Sequence, residues 1–325
     1  MLTTCRTWLP PRKEYNKYLK RIWKSNILTN HGELTQEFQK KLKEYLGVKH
    51  LFLVSNGTIA LQIAVKALGL KGKFYTSPLS YVATVSAPVW EGLTPVYVDL
   101  DEKFTCGPVI DTHVYGIPRL TDQHPVIYDG CHAFGVKHKG KSLLSYGDIS
   151  ITSFHATKMF QAIEGGAIIT NRDDLAEKID WMRFHGHRVK KHKRDRYTFW
   201  GVGINAKISE FHSAMGLCML PKVDKIFNKY QSHIQYYNSI LGTKNKDMTY
   251  FPYLFRSEEA LKRSLTRFHK HKIHPIRYFY PALNTIKYFQ GKSCPIAEDF
   301  CKRVLCLPLH YKLTKKQIRK VCDLL

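Results

Sequence analysis

A chain of 325 residues, 44% hydrophobic and 24% charged, can bury a substantial core in one large or two modest domains and has an ordinary soluble composition. The opening MLTTCRTWLPPRKEY lacks a signal-peptide run, and no apolar segment is long enough to span a bilayer, so a cytoplasmic protein without membrane association is expected. Eight cysteines without a Cys-x-x-Cys pair argue against a zinc site or disulfide framework, and the net charge of +25 sits on lysine-rich amphipathic segments with no zinc-finger, RNA-recognition or helix-turn-helix signature.

In chain order, LTQEFQKKLKEYLG places Leu34, Phe38, Leu42 and Leu46 on one helical stripe that Gly47 ends. A strand HLFLV, a turn SNGT and a helix IALQIAVKALG follow. The short strand KFYTS leads into YVATVSAPVWEG, and further strands are predicted at TPVYVDL, HPVIYD, DISITSF and GGAIIT. Such short β-rich runs with helical intervals predict an α/β fold with a mostly parallel sheet. NRDDLAEKIDWM reads as a helix, with Asn171 and two aspartates supplying its cap and favourable N-terminal charge. Long helical material begins near Ser209, and a small α+β tail carries YFPYLF, IRYFYP and VLCLPL. The boundary is placed near Pro221, giving a large domain over 1–220 and a small C-terminal domain over 221–325.

Three sites point to chemistry. In VSNGTIAL a strand ends, Gly57 permits a tight turn and Thr58 opens a helix, so free backbone N–H groups and a hydroxyl face a phosphate at the positive end of a helix dipole. In VIYDGCHAFG, Asp129 stands at the carboxyl end of a buried strand, where ligands bind in open α/β sheets, with His132 three residues on. In TSFHATK, Lys158 follows an apolar strand among small residues. Partial burial and neighbouring positive charge favour a neutral amine, which can attack a carbonyl. Ser153 offers a hydroxyl to the same crevice. Singly, each has a plainer structural reading: Thr58 or Asp129 as a helix cap, His132 as a satisfied half-buried imidazole, Lys158 as a snorkelling loop residue. Together they describe a pyridoxal 5'-phosphate pocket, in which Asp129 keeps the pyridine nitrogen protonated, Lys158 carries the cofactor and Tyr81 of LSYVAT covers the ring face.

The segments SNGTIAL, SYVAT, YDGCHAFG, GDISITSFHATK, EGGAIITN and GINAKISEFHSAMG, in that order, resemble the DegT/StrS family of pyridoxal-phosphate sugar aminotransferases. The resemblance runs from about Arg12 to the C-terminus and implies an aspartate-aminotransferase-like large domain plus a small C-terminal α+β domain. It implies that Lys158 bears the cofactor and shuttles the proton, Asp129 pairs with the ring nitrogen, and Tyr81 stacks on the ring. His132 would contact the cofactor at a position often Gln in relatives. Gly57, Thr58 and Ser153 would hold its phosphate, and Asn205 would reach that phosphate from the neighbouring subunit of an obligate homodimer. Two departures stand out. Lys207 replaces the usual Arg two residues after that Asn, keeping charge but losing a bidentate fork. The span DLDEKFTCGPVIDTHVYGIPRLTDQHPVIYD is short, as though a helix between strands on the outer side of the sheet were missing.

The basic loop RFHGHRVKKHKRDR is read as an electropositive lid for the diphosphate of a nucleotide sugar, against the plainer reading of a solvated charge run. Arg183, His187 and Arg188 in it, and Tyr278 in YFYPAL, are candidate substrate contacts. The SFHATK…EGG wording is most similar to family members acting at carbon 4 of a dTDP- or UDP-linked 4-keto-6-deoxy sugar. The reaction implied is ping-pong, with L-glutamate as donor, 2-oxoglutarate as by-product and a 4-amino-4,6-dideoxyglucose-type product for surface glycans such as lipopolysaccharide O-antigen. The alternatives are a carbon-3 aminotransferase of the same family and a basic polyanion-binding protein that keeps the fold without catalysis.

Overall fold

The computed structural model describes residues 1–187, 189–190, 193–194 and 197–325. Its centre is a seven-stranded sheet: β1 (His50–Val54), β2 (Lys73–Thr76), β3 (Thr94–Tyr97), β4 (Val109–Thr112), β5 (Val126–Asp129), β6 (Ile149–Ser153) and β7 (Gly166–Thr170). The spatial order is β1-β7-β6-β5-β4-β2-β3. Strands from β6 to β3 run parallel to their neighbours, while β7 is antiparallel to both β6 and β1.

Side chains alternate across each strand, so one apolar run feeds two cores. Leu51 and Leu53 of β1 face one cluster with Ala167 and Ile169 of β7, while Phe52, Val54 and Ile168 face the other. The second cluster is covered by α3 (Gly57–Ala67), α4 (Ala83–Trp90) and α5 (Asp173–Met182). The first is closed by α1 (Arg12–Ser25), α2 (Glu33–Leu46), α6 (Glu210–Met219) and α7 (Val223–Leu241). The expected stripe Leu34, Phe38, Leu42 and Leu46 is the buried face of α2, and Gly47 ends that helix at φ 63°. Glu210 of α6 caps α2, accepting from the N–H groups of Leu34 at 2.7 Å and Thr35 at 3.0 Å.

Local departures from the sequence reading have clear causes. Asn171 does not cap α5: its Oδ1 accepts from the Lys49 N–H at 3.0 Å, and Arg172 takes the N-cap position without a side-chain bond. Asp173 and Asp174 do occupy the first turn. Asn56, not Thr58, caps α3, accepting from the Ile59 N–H at 2.9 Å, and the helix starts at Gly57. The strand β4 was not anticipated, because VIDT is brief, carries an acid and follows a proline. Its connection to β5 contains only a single 3-10 turn, Val114–Gly116, which accounts for the shortened span. In the tail, YFPYLF and VLCLPL supply the antiparallel pair Phe251–Leu254 and Val304–Leu307. IRYFYP adds one bridge, Ile276 to Cys306, and then lays Tyr278 and Phe279 over the cavity at the end of the parallel strands. Among the described residues no helix is long and apolar enough to cross a membrane, and no cluster of metal-ligating side chains occurs.

Candidate active site

A cavity of about 340 Å³ opens at the carboxyl ends of β5 and β6, facing the start of α3. Open parallel sheets place ligand crevices there, and the size suits a cofactor-sized molecule. Asp129, the last residue of β5, is buried. Its Oδ2 accepts from the Thr84 hydroxyl at 2.7 Å and its Oδ1 from the Cys131 N–H at 3.0 Å. Behind Thr84, the hydroxyls of Ser80 and Thr112 lie 2.8 and 3.1 Å from its own and 2.6 Å from each other. This buried carboxylate makes no ion pair with any described residue. A buried anion needs a cation or several donors, so the arrangement fits the protonated ring nitrogen of pyridoxal phosphate.

Lys158 lies half-buried beyond the end of β6, in a turn held by its N–H donating to the His155 carbonyl at 2.9 Å. Ser153 ends β6 and accepts from the His155 N–H at 3.3 Å. His155 also sits 2.8 Å from the Thr157 hydroxyl and 3.5 Å from Glu164, at the rim beside Lys158. Opposite, α3 begins at Gly57. The Asn56 side chain satisfies Ile59 and the Asn56 carbonyl satisfies Ala60, leaving the N–H groups of Gly57 and Thr58 for a phosphate. A Cβ at Gly57 would come within 3.2 Å of both the Cys131 sulfur and the Ser153 Cβ, so glycine lets these three segments meet closely. Gly166 presses on the same turn from below: a Cβ there would stand 2.7 and 2.8 Å from the Asn56 carbonyl carbon and oxygen.

His132 is buried, and burial followed by the nearby Lys158 charge holds its imidazole well below the usual histidine range, in the neutral form. Its ring packs on Tyr250 at 4.3 Å and on Phe279 at 5.3 Å. Tyr81 lies at the cavity with its ring largely exposed, 6.1 Å from that of Phe279. Tyr278 also lines the cavity.

The structure therefore gathers Gly57, Thr58, Tyr81, Asp129, His132, Ser153, Lys158 and Tyr278 around one cavity. Asn205 lies outside it, exposed, accepting from the Lys207 ammonium. Its neighbour Ala206 accepts from the Ser55 N–H at 2.8 Å, which fastens GINAK to the strand end preceding the phosphate turn. Arg183 is buried elsewhere: it bonds Gln39 at 3.1 Å, the Leu53 carbonyl at 3.2 Å and Asp180 at 2.9 Å, and packs on Phe52 and Phe184. It ties the end of α5 to β1 and α2, and does not line this cavity. His187 is buried against Phe199 with ring centroids 4.3 Å apart. Arg188, with residues 191–192 and 195–196 of the basic loop, lies outside the described residues.

Sequence reasoning missed Asn56, Thr84, His155 and Phe279. Thr84 carried a usable signal, three residues after Tyr81 and so on the same face of a helical turn.

The profile of the DegT/DnrJ/EryC1/StrS aminotransferase family matches residues 11–111 and 117–325. The dTDP-4-amino-4,6-dideoxy-D-glucose transaminase of Shigella dysenteriae is 36% identical, over 94% of this chain and 93% of its own. The transaminase of the same name from Escherichia coli is 32% identical, over 98% of this chain and 96% of its own. Among solved structures, DesI in the presence of its TDP-sugar product aligns with a TM-score of 0.87 at 26% identity, covering 99% of this chain and 91% of that one.

Proposed function

Because the chain belongs to the DegT/DnrJ/EryC1/StrS aminotransferase family, we propose that it moves the amino group of L-glutamate to carbon 4 of a dTDP-linked 4-keto-6-deoxy sugar. The products would be a 4-amino-4,6-dideoxyglucose nucleotide and 2-oxoglutarate. At the coarser level it is a pyridoxal-phosphate-dependent nucleotide-sugar aminotransferase of α/β fold. The observation that carries the reading is the meeting of Lys158, Asp129 and the Gly57–Thr58 helix start around one cavity.

When bound, the cofactor supplies an aldehyde for the amine and a ring that draws electrons from the bond being broken. This chain's residues do the rest. Asp129 pairs with the ring nitrogen and keeps it positive. Lys158 would hold the cofactor, and its Nζ would move the proton at the reacting carbon. Gly57, Thr58 and Ser153 would hold the phosphate and so orient the cofactor. Tyr81 covers the ring face, and Tyr278 with Phe279 excludes water from that side.

Pairing into a homodimer belongs to the same proposal. Asn205 is exposed beside Trp200, Val202 and Ile204, an apolar run left open in the single chain, which supports its reaching a neighbouring subunit's phosphate. A cytoplasmic role supplying amino sugars for surface glycans such as O-antigen follows from the product.

The test is borohydride reduction and peptide mapping, with mass spectrometry of products from dTDP- and UDP-keto sugars plus glutamate. A pyridoxyl group on Lys158, and a 4-amino sugar lost in Lys158→Ala, is the expected result. Reduced protein bearing no adduct on Lys158 would sink the aminotransferase reading. Salt-sensitive polyanion binding that survives Lys158→Ala, with no turnover, would favour the binding protein instead.

A further inference from the structure

Tyr115 lies in the shortened connection between β4 and β5, in the part of the chain that the family profile passes over. Its φ of 60° places a bulky aromatic residue in the left-handed region. Such a conformation persists only where the surroundings over-determine it, and functional sites are where that happens. Tyr115 is held from every side. Its N–H donates to Nδ1 of His132 at 3.3 Å. Its carbonyl accepts from the Thr249 N–H at 3.0 Å, and the Thr249 hydroxyl donates to the His132 carbonyl at 2.7 Å. Its own hydroxyl donates to the carbonyl of Tyr278. The ring is buried and lies 21° from the plane of the His132 imidazole, with centroids 6.4 Å apart.

The first of these bonds has a chemical consequence. A nitrogen that accepts from an N–H carries a lone pair, so the neutral imidazole of His132 bears its proton on Nε2. No hydrogen bond joins Nε2 to another described residue, and His132 lines the cavity. His132 thus offers a single donor in a cavity that Lys158 also lines. The last bond has a second consequence: the Tyr278–Phe279 wall is fastened to the same tyrosine. Resting on the aminotransfer reading above, we propose that Tyr115 is a positioning residue that locks His132 as an Nε2–H donor toward the cavity and sets the Tyr278–Phe279 wall for the keto sugar. The shortened crossover thereby takes on a task at the site.

The groups facing His132 support the lock. Tyr115, Tyr250 and Tyr278 are phenols whose ionisation burial pushes upward, so none is charged near neutral pH. Lys158 is the charge that bears on the ring, and it opposes protonation.

Two measurements on the cofactor-loaded protein test the proposal. Histidine-selective 15N spectra should give His132 a bare Nδ1 and a protonated Nε2, unchanged between pH 8 and pH 5.5. A protonated Nδ1, or a ring that titrates in that range, would overturn the lock. In Tyr115→Phe the backbone bond to His132 stays and the bond to Tyr278 goes. The KM for the keto sugar should rise about tenfold while kcat falls less than threefold, the loss of one buried hydrogen bond at the sugar wall. A KM within twofold of wild type, in protein with a normal melting profile, would overturn the tether. The spectra need no turnover, so an unreactive wild-type enzyme would count against the aminotransfer reading while the lock is still decided.

Discussion

Thr84 donates its hydroxyl hydrogen to Oδ2 of Asp129 at 2.7 Å, and both side chains are buried. The Ser80 and Thr112 hydroxyls behind it make this the end of a short polar chain feeding one carboxylate. Thr84→Val keeps the shape and deletes the donor. Hydrogen bonds to charged groups contribute about 1.5–3 kcal/mol, so the rate of the glutamate half-reaction should fall roughly ten- to a hundredfold. Thr84→Ser should recover most of it. Stopped-flow absorbance of the cofactor checks both, and an unslowed valine variant would show that Asp129 does not depend on this donor.

Gly166→Ala tests the floor of the phosphate turn. The new methyl group would meet the Asn56 carbonyl and the Thr152 carbonyl oxygen at 2.7–2.8 Å, and these are backbone atoms that cannot swing aside. Overpacking of this kind costs about 1–3 kcal/mol. The expected outcome is a lower melting temperature together with weaker cofactor binding by titration. A variant that melts lower yet binds the cofactor normally would separate the glycine from the turn.

Asp111 gives a pH signature. Burial pushes its carboxyl from an ordinary 3.8 up to about 6, against the pull of Arg119 3.6 Å away. Between these values the folded protein holds a proton that the unfolded chain releases, so stability falls as pH rises from about 4 to 6 and stays lower above. Asp111→Asn removes that slope. It should match wild type near pH 4 and exceed it at pH 8 by about 3 kcal/mol, read from urea melts at both pH values. A variant less stable than wild type at pH 8 would mean that the Arg119 contact outweighs the burial cost.

Arg183→Met separates structure from substrate binding. Its removal leaves Asp180, Gln39 and the Leu53 carbonyl short of a donor, at a cost of about 2 kcal/mol. Melting temperature should drop while KM for the nucleotide sugar stays put. A raised KM without loss of stability would return Arg183 to the substrate side.

The parts legible from sequence are those decided locally. The stripe of α2 has a clean helical period, and the strand-end positions of Asp129 and Ser153 follow from apolar runs with sharp ends. The parts misread are those where two local solutions tie and tertiary structure chooses. Asn171 has the chemistry of a cap, but the Lys49 N–H needed an acceptor. Thr58 and Asn56 can each cap a helix; the end of β1 settled it for Asn56. Arg183 stands in a basic run, so its neighbours in sequence suggested a substrate contact. The last turn of α5 instead turns it inward over Phe52. Tyr115 offered no signal at all, because its role rests on partners at positions 132, 249 and 278.

Cys131 lies beside Gly57, two residues after Asp129, in the wall of the cavity proposed to hold the cofactor. Burial raises its thiol well above the ordinary cysteine range, and the Asp129 charge raises it further, while Lys158 pulls the other way without prevailing. A thiolate there would be the stronger nucleophile and would compete with the lysine amine for the carbonyl. Held as a thiol, it is a spectator, and Asp129, the residue proposed to bind the ring nitrogen, also helps to keep the proposed chemistry at Lys158 free of a sulfur rival.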